Sequence, residues 1–294
     1  MGSETTIGVV GLGLVGQALA ARLLAAGFKV TGYDLRPEAR AAFKGTAVDS
    51  VRAVGADALC VVLAVFDSED VIEVVEGKDG LLADGHRVRT IIDCSTGDPD
   101  KLAALAGRIA LRGIAFVEGP LSGSSQQIAA GKATQLLGGE ADAIASCEAV
   151  LQALAAQRIH VGGAGSAATA KLATNLVLGL NRAALAEGMV FAESLGISPD
   201  KFLALVLATP ARSGAAEAKG EMMVRGDFAP QSRIRQHLKD VELMLASASQ
   251  AGQPLPLSQA HAALMRDAVD AGDGDLDNAG LIRQFRRQRR HPTE

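Results

Sequence analysis

A chain of 294 residues, 48% of them hydrophobic, has the material for two folded domains and a substantial core. Its formal charge of −4 offers no cationic surface for nucleic acid, and its longest apolar run, "ALCVVLAVF", is too short to span a bilayer. Three cysteines, Cys60, Cys94 and Cys147, lack pairing or metal-ligand spacing, and the first residues lack the pattern of a signal peptide. Together these predict a cytoplasmic protein that partners neither nucleic acid nor membrane.

The first half alternates short β-branched runs with helical patterns. "TTIGVVG" leads into a helix from about Leu14 to Ala26, and "KVTGYD" into another from about Pro37. "DALCVVLAV", "VRTIIDCS" and "GIAFVEG" follow, with "ATQLLGG" and "RIHVGG" as the last strands. Such βαβα alternation predicts a parallel, doubly wound sheet with helices on both faces. From Ala167 onward only helical periodicities remain, broken by "GISPD", "GDFAP", "GQPLP" and "AGDGD". The expected organisation is an α/β Rossmann-type domain over residues 1–163 and an all-α domain over residues 164–294.

Between the first strand and first helix, Gly11-Leu12-Gly13-Leu14-Val15-Gly16 matches G-x-G-x-x-G in the context that makes the pattern informative. Gly11 permits a tight turn, Gly13 lets backbone approach a pyrophosphate, and Gly16 lets helix and strand pack closely. The helix N-terminus adds amide donors and a favourable dipole. Asp34 ends the second strand, where a carboxylate accepts from a ribose diol and repels a 2′-phosphate. That favours NAD, while Arg36 and Arg40 nearby keep NADP open.

Three further segments, "DCSTGDP" (93–99), "FVEGPLSGSSQQIAAGKATQLLGG" (116–139) and "GSAATAKLATN" (165–175), resemble the β-hydroxyacid dehydrogenase family in type and order. That family includes 3-hydroxyisobutyrate, tartronate semialdehyde and 6-phosphogluconate dehydrogenase-like enzymes. "HLKDVELMLA" (237–246) is similar to its C-terminal Lys-Asp motif. The resemblance implies hydride transfer between a nicotinamide and a small β-hydroxyacid, with substrate lying between the two domains. It assigns Ser122 to the substrate carboxylate, helped by the amides of Gly123 and Ser124, and Lys171 to general acid/base work. Asn175 would orient the substrate. Ser95 and Thr96 would lie at the nicotinamide ribose, Val65 with the cofactor, and Lys239 over cofactor or substrate. Ser124, Ala167, Thr174, Arg233 and Arg235 differ from the usual family residues and bear on which acid is bound.

The residue chemistry agrees with this assignment. An unperturbed lysine is a poor base at neutral pH, and burial lowers its pKa by disfavouring the charged form. Lys171 and Asn175, four residues apart, share one helix face, with Arg182 near the same stripe. Leu172, Leu176, Val177, Leu178 and Leu180 surround that stripe, so the helix is expected to be buried on all sides. Apolar helices of this kind also suggest a homo-oligomer, a dimer or tetramer. His86, His160, His237, His261 and His291 are scattered, and "DGDLDN" (273–278) breaks the calcium-loop pattern at Asn278 and Gln284, so no metal site is expected. The basic "RQFRRQRRH" (283–291) reads as a solvated helix or subunit contact. Two alternatives stay open: an NADPH-preferring reductase of short aldehyde acids such as glyoxylate or succinic semialdehyde, and a non-catalytic cofactor-binding sensor or scaffold. An imine reductase is disfavoured because Lys171 is retained.

Overall fold

A computed structural model describes residues 5–289. The chain divides into two compact units, one ending at Lys171 and the other beginning at Leu172.

In the first unit, β1 (Thr6–Val10) leads to α1 (Leu14–Ala25), then β2 (Lys29–Tyr33), α2 (Pro37–Ala41), β3 (Thr46–Ala47) and α3 (Val51–Asp57). There follow β4 (Cys60–Leu63), α4 (Ser68–Glu76), β5 (Thr90–Asp93), α5 (Pro99–Ala110) and β6 (Ala115–Glu118). β7 (Leu121–Ser122), α6 (Ser125–Ala129), β8 (Thr134–Gly138), α7 (Ala141–Ser146), α8 (Glu148–Leu154) and β9 (Gln157–Gly162) complete the sheet. The strand order is β3-β2-β1-β4-β5-β6-β8-β7, with β9 on β8. The order reverses beside β1, which is the switch point where doubly wound sheets hold ligands at their carboxyl ends.

Strand residues alternate between two cores. Ile7, Val9, Val62, Ile92 and Val117 enter one, with Leu19 and Leu23 of α1. Val10, Val61, Leu63, Ile91 and Phe116 enter the other, with Leu102 and Leu105 of α5. This is the period-2 side-chain alternation of a sheet covered on both faces. The sheet departs from the all-parallel expectation at β8, which runs antiparallel to β6 and β7. β6 and β7, separated by Gly119-Pro120, keep one register against β8, and the chain returns after the five-residue α6. That connection makes a hairpin, whose strands are antiparallel.

The helix α9 (Ser166–Ser194) runs through the division between the units. The expected boundary after residue 163 precedes it by eight residues, because α9's first turn is tied to the first unit: Ala168 lies in the sheet core and Glu118 bonds the helix start. The second unit continues with α10 (Pro199–Ala208), α11 (Gly214–Arg225), α12 (Ile234–Gln250), α13 (Pro256–Ala268) and α14 (Ile282–Gln288). Its core has two parts, one around Met189, Leu203 and Met223 and another around Leu172, Val241 and Met265. Contrary to the expectation that α9 is buried all round, Val177 and Phe191 are 57% and 64% exposed. Leu172 and Ala183 face one of these cores and Leu185 and Met189 the other, so an Ala- and Leu-rich helix covers only the faces its neighbours meet. No helix among the described residues is long and apolar enough to cross a membrane.

Candidate active site

The glycine loop has the geometry that its spacing calls for. Gly11 has φ +89°, and a Cβ there would stand 2.3 Å from the Ala64 carbonyl oxygen. A Cβ on Gly16 would stand 1.8 Å from the Gly11 carbonyl oxygen, so α1 packs on the loop at a distance only glycine allows. Gly13 is the N-cap of α1, with no side-chain cap and no acidic residue in the first turn. By contrast, α3, α4 and α5 are capped by Ser50, Asp67 and Asp98. The start of α1 thus keeps amide donors for an anion, and the cradle fits a dinucleotide pyrophosphate.

Asp34 is buried, and its Oδ2 accepts from the Leu12 amide at 2.7 Å. Arg36 donates Nε to Oδ1 at 3.0 Å and Nη2 to Oδ2 at 3.1 Å, and its amide also donates to Oδ1. Burial pushes the Asp34 carboxyl up, but the bonds from Arg36 and Leu12 outweigh it and hold the group below the usual carboxylate range. Arg40 donates to the Asp34 carbonyl and stacks over Tyr33. At the neighbouring strand ends, the Val65 amide donates to Ser95 Oγ at 3.1 Å and the Ser95 amide to buried Asp93 Oδ1 at 2.9 Å. Those bonds join the loops after β4 and β5, with half-buried Thr96 next in the chain.

Lys171 is 7% exposed, and its Nζ donates to the Leu121 carbonyl oxygen at 2.7 Å. Leu121 immediately precedes Ser122 in β7, so the lysine and the "PLSG" segment are brought together across 50 residues of sequence. Gly123 is exposed with φ +151°, which aims the turn after Ser122. The Ser124 amide, expected to help hold a carboxylate, donates instead to Gln127 Oε1 at 2.8 Å in a capping box that starts α6. The amide free of that box is that of Gly123.

In the second unit, Asn175 is buried and donates Nδ2 to Asp240 Oδ2 at 3.1 Å. Lys239 Nζ lies 3.1 Å from the other oxygen of Asp240. The Lys-Asp pair of α12 thus holds Asn175 through its aspartate, a role missed when only the lysine was singled out. Burial pulls Arg182 down to about 10, against the charges of Asp277 and Asp240. Asp277 is fully buried and takes Lys219 Nζ at 2.8 Å plus the amides of Gln231 and Ser232.

His237 and His261, read as scattered, meet with ring centroids 5.4 Å apart beside Gly179. Burial, reinforced by the Arg182 charge, pushes His261 down to about 4. The folded state therefore prefers the neutral ring; its contribution is complete above the unfolded value near 6.5 and is lost as pH falls toward 4. Wild-type protein is expected to lose about 2 kcal/mol more unfolding free energy than His261→Gln between roughly pH 7 and 5. Denaturant titrations at both pH values measure this, and equal losses would contradict it.

Arg233 and Arg235 are both drawn to Asp275, Arg235 at 2.7 Å. Asp273 takes Arg283 and Arg287, and Arg286 pairs with Glu193, so both "DGDLDN" and the basic helix serve internal ion pairs. His291 lies outside the described residues.

Residues 6–163 match the family described as the NAD binding domain of 6-phosphogluconate dehydrogenase. Residues 165–285 match the one described as NAD-binding of NADP-dependent 3-hydroxyisobutyrate dehydrogenase. An L-threonate dehydrogenase of Cupriavidus necator is 31% identical over 283 residues, covering 95% of each chain. The 2-(hydroxymethyl)glutarate dehydrogenase of Eubacterium barkeri is 28% identical, covering 96% of this chain and 95% of its own. The crystal structure of 3-hydroxyisobutyrate dehydrogenase from Salmonella typhimurium superposes with a TM-score of 0.85 at 27% identity, over 95% of this chain and 99% of that one. With a glycine cradle, a strand-end carboxylate and a buried lysine beside "PLSG", the chain belongs to the β-hydroxyacid dehydrogenase family of NAD(P)-dependent oxidoreductases.

Proposed function

We propose that this chain interconverts a small β-hydroxyacid and its aldehyde or keto acid, of the 3-hydroxyisobutyrate or tartronate semialdehyde type, with Lys171 as the proton carrier. The observation that carries the reading is the buried Lys171 Nζ on the carbonyl of Leu121, one residue from Ser122. A nicotinamide cofactor held by the first domain would supply the hydride acceptor or donor. Lys171 takes the hydroxyl proton during oxidation and returns it during reduction. Ser122 Oγ and the Gly123 amide hold the substrate carboxylate, and Asn175, one turn along α9, orients the reacting carbon through an amide fixed by Asp240. Gly11–Gly16 carry the pyrophosphate, Asp34 the adenosine ribose, Val65, Ser95 and Thr96 the nicotinamide end, and Lys239 closes over the bound pair. Residues 1–163 serve as the dinucleotide-binding domain and 164–294 as the substrate and oligomerisation domain. Exposed Val177, Phe191, Leu195 and Leu205 suit a homo-oligomer, and three buried free cysteines suit a reducing cytoplasm.

Asp34 favours NAD, because an ionised carboxylate at the ribose repels a 2′-phosphate. A turnover panel of β-hydroxyacids and aldehyde acids, run with NAD and NADP in both directions, tests the proposal. The expected result is turnover of at least one β-hydroxyacid, with kcat/KM higher for NAD by about tenfold or more. Preference for NADP would move the 2′ recognition to Arg36 and Arg40, and cofactor binding without any turnover would favour the sensor reading.

A further inference from the structure

Glu118 ends β6 at 1% exposure and has no part in the chemistry proposed above. Its Oε1 accepts from the Gly165 amide at 2.5 Å, and its Oε2 from the amides of Ala167 and Ala168 at 2.9 and 3.1 Å. A helix begins with amides that have no partner within the helix, and here one carboxylate from a distant strand takes three of them. Burial pushes the Glu118 carboxyl above the usual carboxylate range, while the three amide bonds, all donated to it, favour the ionised form. The opposite strand leaves room for it: a Cβ on Gly138, which pairs with Glu118 in register, would stand 2.7 Å from Oε2 and 3.0 Å from the Ala167 Cβ.

Three residues after Glu118, the Leu121 carbonyl accepts from Lys171 Nζ. The strand segment 118–122 thus grips α9 twice, at the helix start by Glu118 and about one turn later through Lys171. A helix held at one point only can rotate or slide, and either motion would carry Lys171 away from the strand that bears Ser122. Misplacement of a reacting group by about 1 Å costs on the order of 100-fold in rate.

We propose that Glu118 is a positioning residue for proton transfer, anchoring the first turn of α9 so that Lys171 stands at a set height and rotation beside Ser122. The proposal rests on the reading of Lys171 as proton carrier. It is tested in the full-length enzyme with Glu118→Asp, Glu118→Gln and Lys171→Ala. The readouts are kcat at saturating hydroxyacid and the Kd of reduced nicotinamide cofactor, followed by its fluorescence. Glu118→Gln, which replaces one acceptor with a donor facing amide hydrogens, is expected to lower kcat by about 10- to 100-fold. Glu118→Asp, which keeps the charge and both acceptors, should lose less, and cofactor Kd should stay within about threefold in both. Should Glu118→Gln fail to fold, Gly138→Ala carries the same expectation, since its methyl invades the carboxylate's place. A kcat loss under about threefold, Gln equal to or better than Asp at position 118, or parallel loss of cofactor binding and turnover would each overturn the positioning role. Near-normal turnover in Lys171→Ala would instead remove the lysine reading itself, whereas an inactive Lys171→Ala beside a fully active Glu118→Gln removes only the role of Glu118.

Discussion

Lys171→Ala is expected to lower kcat by about 1,000-fold or more, with cofactor affinity changed by less than about threefold. The lysine is buried, sits on the carbonyl next to Ser122, and no other lysine is placed in this role by the sequence motifs. Truncation also leaves the Leu121 carbonyl without its donor, which costs about 1–3 kcal/mol of stability when such a group is buried. Lys171→Arg separates charge from proton transfer. Guanidinium stays protonated at any working pH, so it preserves a cation and removes the base. The arginine variant should therefore be nearly as slow as the alanine variant. If it recovered most of the rate, the ammonium would act as a fixed charge and proton transfer would fall to another group. Single-turnover kinetics with fluorescence-monitored cofactor binding distinguish these outcomes.

The second large effect is at the phosphate loop. Gly16→Ala puts a methyl where 1.8 Å separates it from the Gly11 carbonyl oxygen, with the Gly11 carbonyl carbon at 2.9 Å. Backbone lies on both sides of that contact, so no side chain can rotate away. α1 must shift off β1 or the loop must open. Either change withdraws the amides of Gly13 and the first turn from a pyrophosphate. Cofactor Kd is expected to rise by about 100-fold or more, accompanied by a stability loss of about 2–4 kcal/mol for overpacking against backbone. Isothermal titration with NAD and NADP, together with thermal unfolding, reads both effects. A variant that binds either cofactor normally would show that the loop adjusts without α1. Gly13→Ala is the informative contrast, because the nearest atom to its Cβ is a flexible Arg36 nitrogen at 3.7 Å. Its fold should be retained, and any loss should appear in binding alone.

Some of this protein was determined by sequence alone because its information is local. The glycine loop, the strand–turn–helix around it, Asp34 at the next strand end and the four-residue spacing of Lys171 and Asn175 are each written within one or two turns of chain. Backbone sterics and helical period impose them wherever the chain folds. Strand alternation likewise predicts the two-faced sheet, since β-branched runs such as Cys60–Leu63 bury both sides. The family motifs, in order, marked the family to which the chain belongs.

Tertiary structure alone decided which groups those residues meet. Glu118 reaches amides 47–50 residues away, and Asn175 reaches Asp240 across 65 residues. His237 and His261 touch only because α12 and α13 pack with Gly179 of α9 between them. No periodicity encodes such pairings. They depend on sheet register, hairpin direction and helix rotation, each fixed by packing summed over many side chains. A stripe of leucines says that a helix has neighbours, and the packing of those neighbours leaves Val177 and Phe191 outside while it closes over Lys171.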